Sequence, residues 1–350
     1  MDERGPATVL ERTDERDYLC VDRFLRSVVD ARALKTAFEL RLIDRLAAAP
    51  VPLTEVVADG PGEARGLRLL LALLQTSRVV EQSDGRAALT PEFRAALRYR
   101  DLLETKLAYA EFVLPDFSEL FTAAIRNPEG FFRQSRTFRL FAYDRAQGDS
   151  VEDVEATRRW MRLTTCLTKY ETPVCLHHHD CSRYGRMLDI GGNSGEFALQ
   201  ICRRHPGLSA TVLDLPLVCK IGRAHVAGQP EGARIDFVEG SALTDPLPAG
   251  RDLVTFKSML HDWPDAEARR LLGRGAEALK PGGTLLIFER GPVPTDDVPY
   301  SLIPFLLFFR SFRGPALYAE QLAALGFVDV DVRRVDLEMP FYLVTGRKPA

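Results

Sequence analysis

The sequence predicts a doubly wound α/β domain in its C-terminal half, preceded by a mostly helical, winged-helix-like unit. Three observations carry this expectation. From Arg186 onward, short apolar runs alternate with helical stretches. The first of those runs leads into a glycine-rich turn, GGNSG. Before that point apolar residues recur mainly at helical spacing. Alternating strand and helix units favour a largely parallel sheet covered on both faces, with ligands at the carboxyl ends of its first strands.

Residues 19–48 open the helical unit, with Phe24, Leu25, Val28 and Val29 and then Ala37, Leu40, Ile43 and Ala47 at helical spacing. The Pro-bounded stretch AAAPVPLTEVVADG, the apolar helix RLLLALLQTSRVV and the turn-bearing EQSDGRAALT complete it. Such a unit can bind DNA, but its recognition-helix candidate is mostly Leu and Ala, which favours protein contact and dimerisation. Residues 91–175 read as helical and aromatic-rich (FVLPDF, FFRQSRTFRLFAYDR, RRWMRLTTCLTKYE), and part of this region is expected to line a cavity for an apolar or planar ligand. The strands follow as GRMLDI, SATVLDLP, IDFVEG, DLVTFKSML, GTLLIFER, FVDVDVRRVD and PFYLVTGRK. The expected divisions are 1–98 for the winged-helix-like unit, 99–183 for the cavity-lining helices and 184–350 for the α/β domain.

Composition narrows the function classes. The formal net charge of the 350-residue chain is −3, which gives no support to a nucleic-acid-binding surface. No run approaches the roughly 20 apolar residues of a membrane span. The charged start, MDERGPATVLERTDERDYL, is unlike a signal peptide, so the cytoplasm is expected. The six cysteines form no CxxC pair and are read as reduced core residues. The cluster His177, His178, His179, Asp180 and Cys181 is read as a polar linker before the first strand, and no metal site is expected.

The chemistry begins after that first strand. Gly191, Gly192 and Gly195 let the backbone turn tightly and approach a ligand without Cβ interference. Asp214 ends the next strand, where a carboxylate accepts hydrogen bonds from ribose hydroxyls. GGNSG lacks the G-x-G-x-x-G register and no second mononucleotide unit follows, which favours an adenosyl cofactor over a dinucleotide. Further along, DLVTFKSML delivers Lys257 and then His261 to the same sheet edge. A histidine there, with an ordinary pKa near about 6.5, takes a proton from a phenol or acid hydroxyl. TLLIFER delivers Glu289 beside it, where a carboxylate fixes the imidazole tautomer.

The ordered motifs LDIGGNSG, VLDLP, FVEGS, FKSMLHDWPD, LKPGGTLLIFE and LAALGF resemble the S-adenosylmethionine-dependent small-molecule O-methyltransferases, a family that includes plant caffeic acid and isoflavone enzymes and bacterial antibiotic-tailoring enzymes. LKTAFELRLIDRLA and the segment through LTPEF resemble that family's N-terminal dimerisation domain, so the likeness covers nearly the whole chain. The resemblance implies a Rossmann-like domain, a homodimer, a small-molecule substrate, and S-adenosylmethionine as cofactor with S-adenosylhomocysteine as product. It implies Asp189, Gly191 and Gly192 at the cofactor's amino-acid end and Asp214 on the ribose. Leu215 falls beside the adenine, and Glu239, Gly240 and Ser241 fall in the adenine loop. Lys257 and Met161 match positions near the cofactor, His261 matches the general base and Glu289 the acid that orients it.

Departures accompany the likeness. Members commonly have an aspartate where this chain has Ser241, a glycine where it has Asn193 and a second acid near Phe312. Asparagine tolerates a left-handed backbone. Arg310 and Arg313 flank Phe312 and are candidates to clamp a substrate carboxylate. The candidate cavity walls are Phe138, Phe141, Tyr143, Trp160, Thr164, Phe308 and Phe312. Three other readings stay open at this point: C-methylation of an aromatic amino acid or 2-oxo acid, a cofactor-retaining enzyme that transfers no methyl group, and a ligand-sensing DNA-binding regulator.

Overall fold

The computed structural model describes residues 26–148, 150–294, 298 and 303–350, which fall into two compact units divided after Ala108. The charged N-terminal stretch, Cys20, Phe24 and Leu25 lie outside the described residues.

The first unit runs α1 (Arg26–Glu39), α2 (Leu42–Ala48), β1 (Val51–Pro52), α3 (Leu53–Ala58), α4 (Ala64–Thr76), β2 (Val80–Ser83), β3 (Arg86–Leu89) and α5 (Pro91–Ala96). The strands form a small antiparallel sheet in the order β1-β3-β2. Asp84 and Gly85 close the β2–β3 hairpin with φ of 51° and 71°, the doubly left-handed turn that a two-residue hairpin favours. Helix α4 is capped by Glu63, whose carboxylate accepts from the Arg65 and Gly66 amides. It buries Leu67, Leu70, Leu71 and Leu74, and the last three pack in one core with Ile43, Leu46 and Val56. Leucines at this spacing put one face inward.

Helix α6 (Arg100–Arg126) spans the division, and in the second unit its remainder, α7 (Pro128–Gln134), α8 (Arg136–Leu140) and α9 (Val151–His178) precede the main sheet. Pro173 sits inside α9 without breaking it. A proline has no amide hydrogen, so the Lys169 carbonyl loses its helical partner; Gln200 Nε2 donates to that carbonyl instead, at 3.1 Å. The helix therefore reaches His178. His177 and His178 belong to its last turn and are not an extended linker; His179 follows as its cap, and its ring stacks on Tyr184.

The α/β part then runs β4 (Arg186–Ile190), α10 (Glu196–Arg204), β5 (Ser209–Asp214), α11 (Pro216–Val226), β6 (Ile235–Glu239), β7 (Arg251–Lys257), α12 (Asp265–Ala278), β8 (Leu279–Arg290), α13 (Ile303–Leu306), α14 (Ala316–Ala324), β9 (Val328–Asp336) and β10 (Pro340–Arg347). The seven strands order as β6-β5-β4-β7-β8-β10-β9. Strands β4 to β8 pair in parallel, whereas β10 runs antiparallel to both β8 and β9. The central strands bury an apolar core: Leu188, Ile190, Val254, Phe256, Leu285 and Ile287 are fully buried. Strand β4 lies between β5 and β7, so the chain order reverses there and a crevice opens at the carboxyl ends. The doubly wound domain and the mostly helical unit are thus both present.

Candidate active site

The crevice holds a cavity of about 440 Å³, within the range of small-molecule sites. Its floor is the turn after β4. Gly191, Asn193 and Gly195 adopt φ of 67°, 56° and 76°, and a Cβ on Gly192 would meet Asp189 Oδ2 at 2.5 Å. Glycine at 192 therefore lets the loop lie directly against the carboxylate. Asp189 Oδ1 accepts from Thr255 Oγ1 at 2.6 Å, while Oδ2 is buried with no partner. Burial pushes this carboxyl up to about 7, opposed by the Thr255 hydrogen bond and the Lys257 charge. Asp214 at the end of β5 accepts from the Asn193 and Leu215 amides, both at 2.8 Å. Burial again dominates, raising it to about 6 against those two amides.

Beside this floor stands a histidine with fixed orientation. His261, in a short turn after β7, approaches Glu289 Oε2 through Nδ1 at 2.8 Å. Glu289 is fully buried, and its Oε1 accepts the Met259 and Leu260 amides, each at 2.6 Å. With two amides already aimed at the carboxylate, Nδ1–H donates and Nε2 carries the lone pair. Nε2 lies 3.5 Å from Asp262 Oδ1, and Asp262 Oδ2 accepts from the Tyr143 hydroxyl at 2.9 Å. Burial disfavours the imidazolium, but Asp262 and Glu289 together outweigh it and raise the His261 pKa. Phe312 lies against the imidazole, ring centres 5.0 Å apart, so an aromatic ring and not a second acid stands there.

The remaining walls are aromatic. Phe141, Tyr143, Trp160 and Phe308 line the cavity in edge and tilted contacts with centroids 5.3–6.5 Å apart. Helix α8 is set by Asp116, a buried carboxylate that accepts from Ser135 Oγ and from the Arg136 and Thr137 amides at 2.5–2.9 Å. A carboxylate at a helix N-terminus satisfies otherwise unpaired amides.

Of the residues singled out in the sequence, Asp189, Gly191, Gly192, Asp214, Leu215, Gly240, Ser241, Lys257 and His261 line the cavity, as do Phe141, Tyr143, Trp160, Thr164, Phe308 and Phe312. Glu289 stands behind His261, and Glu239 pairs with Arg223 at 2.6 Å. Met161 and Phe138 are not in the wall; Phe138 backs Phe308 with ring centres 4.6 Å apart. Arg310 is exposed, and Arg313 is held by Asp265 at 3.0 Å and by the Trp263 carbonyl, so neither reaches the cavity.

The structure also brings in residues the sequence reading passed over. Tyr109 and Arg290 line the cavity, and Thr168 and Glu171 hold Lys257 from α9. The available signal was spacing: Trp160, Thr164, Thr168 and Glu171 share one helix face, so a carboxylate lies on a buried stripe. Among the described residues no group of three or more His, Cys, Asp or Glu could hold a metal ion, and no helix is long and apolar enough to cross a membrane.

Comparison with known proteins gives two family matches, an O-methyltransferase domain over residues 123–297 and an O-methyltransferase dimerisation domain over residues 23–95. The 3-hydroxy-5-methyl-1-naphthoate 3-O-methyltransferase of Streptomyces sahachiroi is 30% identical over 268 residues, 74% of this chain and 73% of that protein. Human acetylserotonin O-methyltransferase is 28% identical over 349 residues, 92% of this chain and 96% of its own. The crystal structure of human N-acetylserotonin methyltransferase in complex with SAM superposes with a TM-score of 0.74 at 23% identity, over 97% of this chain and 99% of that one, and so shares the fold.

Proposed function

The chain belongs to the O-methyltransferase family, and from that premise we propose that it transfers a methyl group from S-adenosylmethionine to a hydroxyl of a small aromatic secondary metabolite. The observation that carries this reading is the orientation of His261: Glu289 holds its Nδ1, and Nε2 faces an aromatic cavity beside the glycine turn. The relatives named above support an aromatic acceptor, one by a naphthoate and the other by an acetylserotonin substrate.

The cofactor fits the residues present. Asp189 offers a buried oxygen with no partner, suited to an ammonium group, and the glycine turn leaves room that a Cβ would fill. Asp214 offers two carboxylate oxygens for vicinal hydroxyls, with Leu215, Gly240 and Ser241 beyond it for the base. When bound, S-adenosylmethionine supplies a methyl group already activated by its sulfonium.

The chain's own residues supply proton transfer and alignment. His261 Nε2 takes the acceptor's hydroxyl proton as the oxygen becomes nucleophilic, and Glu289 fixes the tautomer and stabilises the imidazolium that results. Phe141, Tyr143, Trp160 and Phe308 hold the ring plane so that the hydroxyl meets His261, which converts binding into proximity. No arginine from the Phe312 segment lines the cavity, so that segment supplies no clamp for a substrate carboxylate. The match to the dimerisation domain supports a homodimer through the N-terminal unit.

Calorimetric titration of S-adenosylmethionine into the purified protein tests the reading. Binding at micromolar concentration with one site per chain is expected; no binding by folded protein would overturn the cofactor assignment.

A further inference from the structure

Helix α9 contributes more than an apolar wall. Glu171, 3% exposed, is paired with two cations at once: Lys257 from the end of β7 and Arg290 from the end of β8. Both cations are themselves buried, and both line the cavity. Lys257 Nζ also donates to Thr168 Oγ1 at 2.8 Å, one turn earlier on the same helix. Arg290 donates to Ser258 Oγ at 3.1 Å and lies between the Phe305 and Phe341 rings, 4.4 and 4.9 Å from their centres. The same face of α9 grips the glycine turn: Asn193 Nδ2 donates to Thr164 Oγ1 at 3.1 Å, and Thr165 Oγ1 donates to Ser194 Oγ at 2.8 Å. One helix face thus touches the cofactor turn, the lysine beside it and the arginine that follows Glu289.

Resting on the cofactor reading above, we infer that Glu171 is a positioning residue: from the helix that walls the acceptor it holds Lys257 and Arg290 in place and sets the charge that the cofactor's amino-acid end meets at Asp189. A buried carboxylate between two buried cations is strongly directional, because removing it takes from both cations the carboxylate they contact. Of the two, Lys257 is the one whose charge acts on Asp189. Asp189 is faced by the Thr255 hydroxyl and the Lys257 ammonium from β7 and by the Asp214 carboxylate from β5. Its protonation therefore reports the charge balance of the Lys257–Glu171 pair.

The sign follows from electrostatics. An ammonium on the bound ligand needs Asp189 ionised, so affinity falls about tenfold per pH unit once pH drops below the carboxyl's pKa in the free protein. Glu171→Gln removes a negative charge and leaves Lys257 unneutralised; both changes favour the Asp189 carboxylate and move that break to lower pH. Lys257→Met does the opposite, because the cation that opposes protonation is gone, and it moves the break upward. A residue that merely stabilised the fold would lower affinity equally at every pH.

The test is calorimetric titration of S-adenosylhomocysteine between pH 5.5 and 8.5 for the unsubstituted protein, E171Q, E171D and K257M, with circular dichroism as the check on folding. We expect a break near about pH 7 in the unsubstituted protein, lower by at least half a unit in E171Q, higher in K257M, and unchanged in E171D, which keeps the charge. If E171Q does not fold, the double variant E171Q/K257M is compared with K257M: a break lower than that of K257M is expected, and coincident breaks would overturn the proposal. Breaks that coincide in all folded variants would overturn the proposal while leaving the cofactor reading intact. Absence of binding to the unsubstituted protein would overturn both.

Discussion

Replacing Glu289 by glutamine is the perturbation most informative about the chemistry. The carboxylate serves three donors: the Met259 and Leu260 amides on Oε1, each at 2.6 Å, and His261 Nδ1 on Oε2 at 2.8 Å. A glutamine side chain has the same shape but only one acceptor oxygen. The two backbone amides claim that oxygen, so the new NH₂ group faces His261 Nδ1 and donates to it. The imidazole must then carry its proton on Nε2, the atom that faces the cavity, and it can no longer accept the hydroxyl proton. Loss of a positioned general base costs about 10²–10⁴ in rate, equivalent to roughly 3–5 kcal/mol of barrier. The assay is single-turnover transfer of a labelled methyl group from S-adenosylmethionine to an accepted phenol, with cofactor affinity measured alongside. The account expects a fall of that size in the transfer rate with cofactor affinity within about threefold of the original. A folded variant that transfers at the original rate would refute the tautomer argument.

Further outcomes are expected from the same geometry. Because Asp262 and Glu289 outweigh burial at His261, the rate should rise with pH through a midpoint above the ordinary histidine value, and Tyr143→Phe should move that midpoint down by weakening the Asp262 carboxylate; a pH–rate profile of both proteins checks this. Asp116→Ala leaves three donors at the start of α8 without their acceptor oxygens and should raise the methyl acceptor's KM while leaving S-adenosylhomocysteine affinity unchanged by calorimetry. Leu74→Ala, at a fully buried position, should cost about 2–5 kcal/mol in denaturant unfolding of the first unit. Light scattering should find a dimer, and a monomer at all concentrations would contradict the homodimer assignment.

What could be read from the sequence was whatever a strand end places by itself. Strand–helix alternation locates β4, β5, β7 and β8, and their carboxyl ends deliver Asp189, Asp214, Lys257 and Glu289 without knowledge of anything else. His261 was legible for the same reason, being a few residues beyond such an end. Groups whose role depends on a partner far along the chain were not. Glu171 meets Arg290 across 119 positions and Tyr143 meets Asp262 across the same separation, and helical spacing alone shows only that Glu171 lies on an inward face. Arg313 looked free because its partners, Asp265 and the Trp263 carbonyl, are brought to it by tertiary packing. Phe138 shows the limit of counting aromatics: it stands in the second row, behind Phe308. The histidine run at 177–179 reads as a linker because a strand follows it, whereas α9 continues through Pro173 to His178 and the Gln200 amide takes the carbonyl that Pro173 leaves unpaired.

The central claim is that this chain methylates a hydroxyl by using His261 as the base. Its most direct test is to incubate the protein and its His261→Ala variant with S-adenosylmethionine and a panel of phenols, measuring methyl ether and S-adenosylhomocysteine by mass spectrometry and cofactor binding by calorimetry. The account predicts equal amounts of ether and S-adenosylhomocysteine from the unsubstituted protein, and from the variant almost none of either despite undiminished cofactor binding. Equal turnover by both proteins would contradict it.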